Sequence, residues 1–217
     1  MTLKVFDTFD GVVDTDLSAH TPDVDIEGLG WADSGADTVE LDGIGGVKML
    51  GGAKYGAIDV GVTDQYIICK LHLGGVSTSM GIYIGGNADL TIAYGFFLFP
   101  PNNVLIQRRN GGSFSTIGIT NTRKIDLTKT QILEAIAVGD NLKFILNGQI
   151  VAEAENTEIT KGNYAGLYIN SNPGGARFLE FEAHDSPYLP RNVQNPMGDR
   201  IKQNIGFGLT NIDKDSL

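Results

Sequence analysis

Asp14, Asp16, Asp23, Asp25 and Glu27 crowd five carboxylates into the opening of the chain. Hard cations take several oxygen ligands, so a loop this rich in carboxylates could hold Ca2+. The EF-hand order of acids, glycine and distant glutamate is missing. Within Asp23-Val24-Asp25-Ile26-Glu27 acidic and apolar residues alternate, and an extended strand would turn all three acids to one face. Acids that simply keep a surface solvated are the plain alternative.

Other chemistry is thinly represented. His20, His72 and His184 are far apart and form neither HExxH nor a nucleophile–base pattern. His72 alternates with Lys70, which predicts a sheet-surface residue, and His20 belongs to the opening loop. No G-x-S-x-G occurs, and pairs such as Gly85-Gly86 and Gly111-Gly112 lack the strand-to-helix setting of a phosphate loop, so they are predicted to be turns. Sugar binding would need exposed rings beside hydrogen-bonding side chains. Trp31, Tyr83 and Tyr94 are the first candidates, with Tyr55, Tyr164 and Tyr168 behind them and Asn87, Asn102 and Asn170 in nearby turns. Aromatic residues in strands more often face a core than a ligand, and Trp31 after an acidic loop suits a sheet-edge plug.

Charge narrows the partners. The net charge is −10, and residues 1–50 hold eleven acids against two bases while residues 51–183 hold eleven against ten. Nucleic acid is not expected as a partner, because phosphate neutralisation needs clustered bases and only Arg108-Arg109 and Arg123-Lys124 adjoin. Those pairs read as solvated strand ends. No charged start with a long apolar core and no membrane-length apolar run is seen, so the expectation is a chain made and kept soluble in a cytoplasm, without a signal peptide and not inserted in a membrane. The single Cys69, in an apolar strand, rules out an intrachain disulfide framework.

The elements that must position these residues are strands. Twenty-nine glycines against seven prolines, with no G-X-Y period, indicate many turns and bulges. Candidate strands are AIDVGV, QYIICKLHL, MGIYIGG, TIAYGFFLF, NVLIQRR, FSTIGIT, QILEAIAV, LKFILN, QIVAEAE, YAGLYIN and ARFLEFEA, evenly spaced and separated by Gly or Asn/Asp turns. Asn147-Gly148 is the preferred type I′ hairpin pair, since both positions need positive φ. Leu142, Phe144 and Leu146 share one face before it, with Ile150 beyond. Such a chain predicts an all-β, two-sheet antiparallel sandwich over residues 1–183. From His184 the alternation ends, and residues 184–217 carry three prolines, balanced charge and scattered apolar side chains. Tyr188, Leu189, Val193, Met197, Ile201, Ile205, Phe207 and Leu209 predict an extended C-terminal arm that docks along its own sandwich or a neighbouring subunit.

The opening FDTFDGVVDTDLSAHTPDVDIEGLGW and the closing LKFILNGQIVAEAENTEITKGNYAGLYINSNPGGARFLEFEA resemble concanavalin A-like (laminin G-like) jelly-roll domains over roughly residues 4–183. The resemblance implies a last strand returning beside the first. It also implies three settings: carbohydrate-binding modules, glycosidase domains and parts of tailed-phage virions. A trailing arm without disulfides is most similar to phage structural proteins, which implies a non-enzymatic capsid decoration protein, homo-oligomeric, with the major capsid protein or other virion proteins as partners. The alternative is a lectin-like module binding glycans, possible with calcium, as on a host-directed tail. More remotely, Asp23, Asp25 and Glu27 resemble the paired-acid strand of laminarinase-like glycosidases, where carboxyls about 5–5.5 Å apart support retaining hydrolysis. Here Asp23 replaces that family's leading glutamate, the motif stands near the amino end, and Pro22 and Gly28 favour a loop.

Overall fold

The computed structural model describes residues 1–34, 39–120, 125–155, 158–171 and 175–185. The chain opens with β1 (Leu3–Asp7), a 3-10 turn at Leu17–Ala19, and the short strands β2 (Val24–Asp25), β3 (Trp31–Asp33), β4 (Val39–Leu41) and β5 (Val47–Met49). The longer strands follow: β6 (Lys54–Asp59), β7 (Gln65–His72), β8 (Met80–Gly86), β9 (Ile92–Phe99), β10 (Asn103–Asn110) and β11 (Ser113–Thr120). The body closes with β12 (Thr130–Val138), β13 (Asn141–Leu146), β14 (Gln149–Glu155), β15 (Tyr164–Ile169) and β16 (Arg177–Asp185). All eleven strands expected from the alternation are present. Among the described residues no helix is long and apolar enough to cross a membrane.

Two antiparallel sheets form the predicted sandwich. One has nine strands, with the path β14-β13-β12-β7-β16-β1-β2 and β5 joining β4 to β16; the other runs β11-β10-β9-β8-β15-β6-β3. The last strand does return beside the first, β16 pairing with β1. β16 continues through His184 and Asp185, where the sequence predicts the arm to begin. The rest of that arm, residues 186–217, lies outside the described residues, and with it every apolar side chain from Tyr188 to Leu209 expected to bind a partner.

Local chemistry fixes the register. Asn147 and Gly148 have φ of 51° and 75°, the turn their types predict. Asn147 does more than turn: its Oδ1 accepts from Ile132 N and its Nδ2 donates to Gln131 Oε1, both at 2.9 Å, tying the hairpin to β12. Leu142, Phe144 and Leu146 all point into the core. Ile150 does not, because the two-residue turn pairs Leu146 with Gln149 and sets Ile150 opposite Ile145 on the other face, 37% exposed; the bulge in β14 comes only after it. Across the sandwich the Phe96 and Phe144 rings meet edge to face at 5.6 Å, joining β9 of one sheet to β13 of the other. Cys69 is fully buried in the same core, where the apolar surroundings push its thiol pKa far up.

Candidate functional site

The acidic opening does not converge. Asp14 pairs with Lys48. Asp16 precedes the 3-10 turn and forms an isolated bridge with Glu40. Asp23 Oδ2 accepts from both the Thr8 amide, at 2.9 Å, and the Thr8 hydroxyl, at 2.8 Å. Asp25 uses its two oxygens on Gly28 N and Gly30 N, at 3.0 and 2.7 Å, closing the turn before Trp31, and Glu27 lies against Gly61. The carboxylates thus organise a loop: among the described residues no group of three or more His, Cys, Asp or Glu side chains is placed to hold a metal ion. Asp25 is thus committed to backbone amides through both oxygens and Asp23 to Thr8 through Oδ2, unlike a carboxyl pair facing a sugar.

A further acid, unremarked in the sequence, is buried. Asp7 accepts from Phe9 N at 2.7 Å and Trp31 Nε1 at 2.7 Å, and meets His20 Nε2 at 2.9 Å. Burial raises its pKa above the ordinary carboxylate value, and the bonds from His20, Phe9 and Trp31 oppose this without cancelling it. Trp31 packs tilted against Phe9 and edge to face with Phe181 and is 3% exposed, so it is the sheet-edge plug and offers no face to a sugar.

The six aromatic candidates divide by sheet face. Tyr94 points inward with Trp31 and is 1% exposed. Tyr83 faces outward yet is fully covered, whereas Tyr55, Tyr164 and Tyr168 are partly exposed on the same outer face of the seven-stranded sheet. The buried positions of Trp31, Tyr83 and Tyr94 follow from strand parity and from neighbours stacked over them, neither of which residue type reveals.

That outer face is built by alternating rings with glycines. Tyr83 pairs with Gly95 on one side and Gly166 on the other, while Gly81 lies between Phe97 and Tyr168. The missing side chains leave room for the Phe97 ring: a Cβ on Gly95 would come within 2.2 Å of it and one on Gly81 within 2.9 Å. Tyr83, Phe97 and Tyr168 meet pairwise at centroid distances of 5.3, 5.5 and 5.0 Å. Phe114 from β11 completes the surface, 43% exposed and 6.4 Å from both Phe97 and Tyr168.

Arg109 is the cation of this face, its guanidinium 5.3 Å from the Phe114 centroid and 5.8 Å from that of Tyr83. The preceding turn positions it. Asn87 Oδ1 accepts from Ile92 N at 2.9 Å, Asp89 Oδ1 binds the Thr91 amide and hydroxyl, and Leu90 at φ 51° turns its carbonyl to Arg109 Nη1 at 2.9 Å. Leu90 itself is buried against Gly86 and Gly166. Arg109 Nε and the Tyr83 hydroxyl are buried with no hydrogen-bond partner, although the hydroxyl lies beside the guanidinium. Burial pushes the Tyr83 and Tyr168 hydroxyl pKa values up, with Arg109 pulling the other way, so both stay neutral donors.

The Arg108-Arg109 pair is therefore not a solvated strand end. Arg109 is held among rings, and Arg108, on the opposite side of β10, pairs with Glu158. The signal was in the neighbouring strand: IAYGFFLF is apolar without alternation, as a strand covered on both faces must be. A cleft of about 680 Å³ lies elsewhere, at one end of the sandwich, lined by Gly61–Asp64, Val138, Asn163 and Asp185. It presents no ring, and its Asp64 is already engaged by Lys161 and by Gly139 N, so shape alone favours it and chemistry does not.

Comparison with solved structures now bears on the fold. The carbohydrate binding module CBM66 from Bacillus subtilis superposes with a TM-score of 0.52 at 16% identity, over 82% of this chain and 92% of that one. Domain 4 of AbnA, a GH43 extracellular arabinanase from Geobacillus stearothermophilus solved in complex with arabinotriose, gives 0.57 at 16% identity over 88% and 96%. The chain has a concanavalin A-like, lectin-type fold. It also matches the GH43 BlXynB protein from Bacillus licheniformis, with a TM-score of 0.58 at 16% identity, over 84% of this chain but 39% of that one. No protein-family model and no curated protein matches the sequence.

Proposed function

We propose that the protein is a non-enzymatic carbohydrate-binding module and that the outer face of its seven-stranded sheet is the glycan-binding surface. The observation that carries this is the group of partly exposed rings, Tyr55, Tyr168 and Phe114, set around the buried Tyr83 and Phe97 on one sheet face and flanked by Arg109. Pyranose faces stack on such rings, and hydroxyl and guanidinium groups at their margin supply direction. The binding of arabinotriose by a domain of this fold and the naming of CBM66 as a carbohydrate binding module support the class of ligand. Cleavage is not part of the reading, because Asp25 spends both oxygens on Gly28 N and Gly30 N and Asp23 Oδ2 is held by Thr8.

Affinity electrophoresis in gels cast with a panel of soluble polysaccharides tests it. Retardation of the wild type, abolished in Tyr168→Ala and Phe114→Ala and kept in a variant of the end cleft such as Thr63→Ala, is the expected result. The virion setting and the capsid partner expected from the sequence are a separate proposal. Quantitative peptide mass spectrometry of purified particles addresses it through the copy number relative to the shell protein.

A further inference from the structure

We infer that the aromatic face, read as a glycan-binding surface, selects carboxylate-bearing saccharides through Arg109; the inference rests on that reading. Most bases of the body have acidic partners: Lys48 with Glu40 and Asp14, Lys70 with Glu180, Lys143 with Glu153, Lys161 with Asp64, and Arg177 with Asp42. Arg109 is different. Among the described residues its bond is to the Leu90 carbonyl, and its charge is otherwise faced by the rings of Phe114 and Tyr83. Asp89, the acid whose pKa its charge helps to lower, stands on the exposed turn with Oδ1 already taken by Thr91.

A partly desolvated guanidinium without a counter-ion is costly, and the cost falls when a carboxylate arrives. The planar fork of an arginine matches the two oxygens of a carboxylate better than any single hydroxyl does. Two observations point the same way. Arg109 Nε is buried without an acceptor, and the Tyr83 hydroxyl is buried beside the same guanidinium. The residue itself is only partly buried, so a ligand lying on Tyr168 and Phe114 can reach it from solvent. The net charge of −10 works against an anion at long range, with its excess in residues 1–50, so short-range pairing at Arg109 has to decide selectivity.

The experiment is isothermal titration of the full chain with short oligomers of galacturonate, glucuronate and mannuronate, each beside its carboxyl-reduced neutral counterpart. The expected result is that at least one acidic oligomer binds on the order of tenfold more tightly than its reduced form, the scale of one charge-assisted pair. Arg109→Gln should bring the two forms to equal affinity. Arg109→Lys, which keeps the charge without the fork, should retain part of the difference and serves if the glutamine variant fails thermal-unfolding controls. Equal binding of acidic and reduced oligomers by the wild type overturns the inference and leaves carbohydrate binding standing. Discrimination that survives in both variants overturns the role of Arg109. Binding of no saccharide at all, or tighter binding of an acidic peptide, overturns the carbohydrate reading with it.

Discussion

Trp31 donates its indole hydrogen to Asp7 Oδ2 at 2.7 Å, and this bond links β3 at the edge of the seven-stranded sheet to β1 of the nine-stranded one. Phe9 N and His20 Nε2 occupy the other oxygen, so one buried carboxylate organises the whole opening segment. Asp7→Ala would leave at least two buried donors unpaired and should cost about 3 kcal/mol or more in urea unfolding. Asp7→Asn keeps an acceptor and should cost less.

The same carboxylate gives a pH signature. Because burial raises the Asp7 pKa in the folded protein, the folded state holds that proton more tightly than the unfolded chain does. Ionisation of Asp7 therefore lowers stability as pH rises from the ordinary aspartate value through the raised one, the reverse of an ion-paired carboxylate. The wild type should lose stability relative to Asp7→Asn across that window and run parallel to it above. Unfolding free energies of the two proteins from pH 3 to 8 check this.

Gly95→Ala tests how the aromatic face is built. Its Cβ would fall 2.2 Å from the Phe97 ring, which must move and push on Tyr83 and Tyr168. A stability loss of about 1–3 kcal/mol is expected from such overpacking. Retention in polysaccharide gels should weaken alongside it.

Asn147 separates turn geometry from hydrogen bonding. Asn147→Gly keeps the positive φ and loses the bonds to Ile132 N and Gln131, while Asn147→Ala loses both. Thermal unfolding should place the glycine variant between wild type and alanine, with the alanine variant down by about 1–2 kcal/mol.

Glycan binding should not respond to chelation. Asp14 is tied to Lys48, Asp23 to Thr8 and Asp25 to amides, so among the described residues no group of three or more carboxylates is placed to hold Ca2+. Titration with and without EDTA should give the same affinity, and a loss on chelation would return the acidic loop to the binding site.

Fold and site were unequally legible. Alternation and turn chemistry are local, so Asn147-Gly148 and the eleven strands can be read from residue order, whereas the return of β16 to β1 came only from the resemblance to jelly-roll domains. Tyr55, Tyr83, Tyr164 and Tyr168 could be named as aromatic candidates but not sorted, because burial depends on which strand lies alongside and what stacks above. Arg109 was misread for the same reason. Two adjacent arginines look like a strand end until a neighbouring strand, a turn carbonyl and the Phe114 ring are placed around one of them.

The sequence by itself determined an all-β sandwich and its hairpins, since periodicity and positive-φ turns act within a few residues. Only the tertiary structure decided which face is chemically equipped. Tyr83 comes from β8, Gly95 and Phe97 from β9, Arg109 from β10, Phe114 from β11 and Tyr168 from β15, and cross-strand register alone makes them neighbours. It likewise turned acids of the opening loop from a suspected cation site into caps and clasps, because Asp14 found Lys48, Asp23 found Thr8, and Asp25 found Gly28 N and Gly30 N.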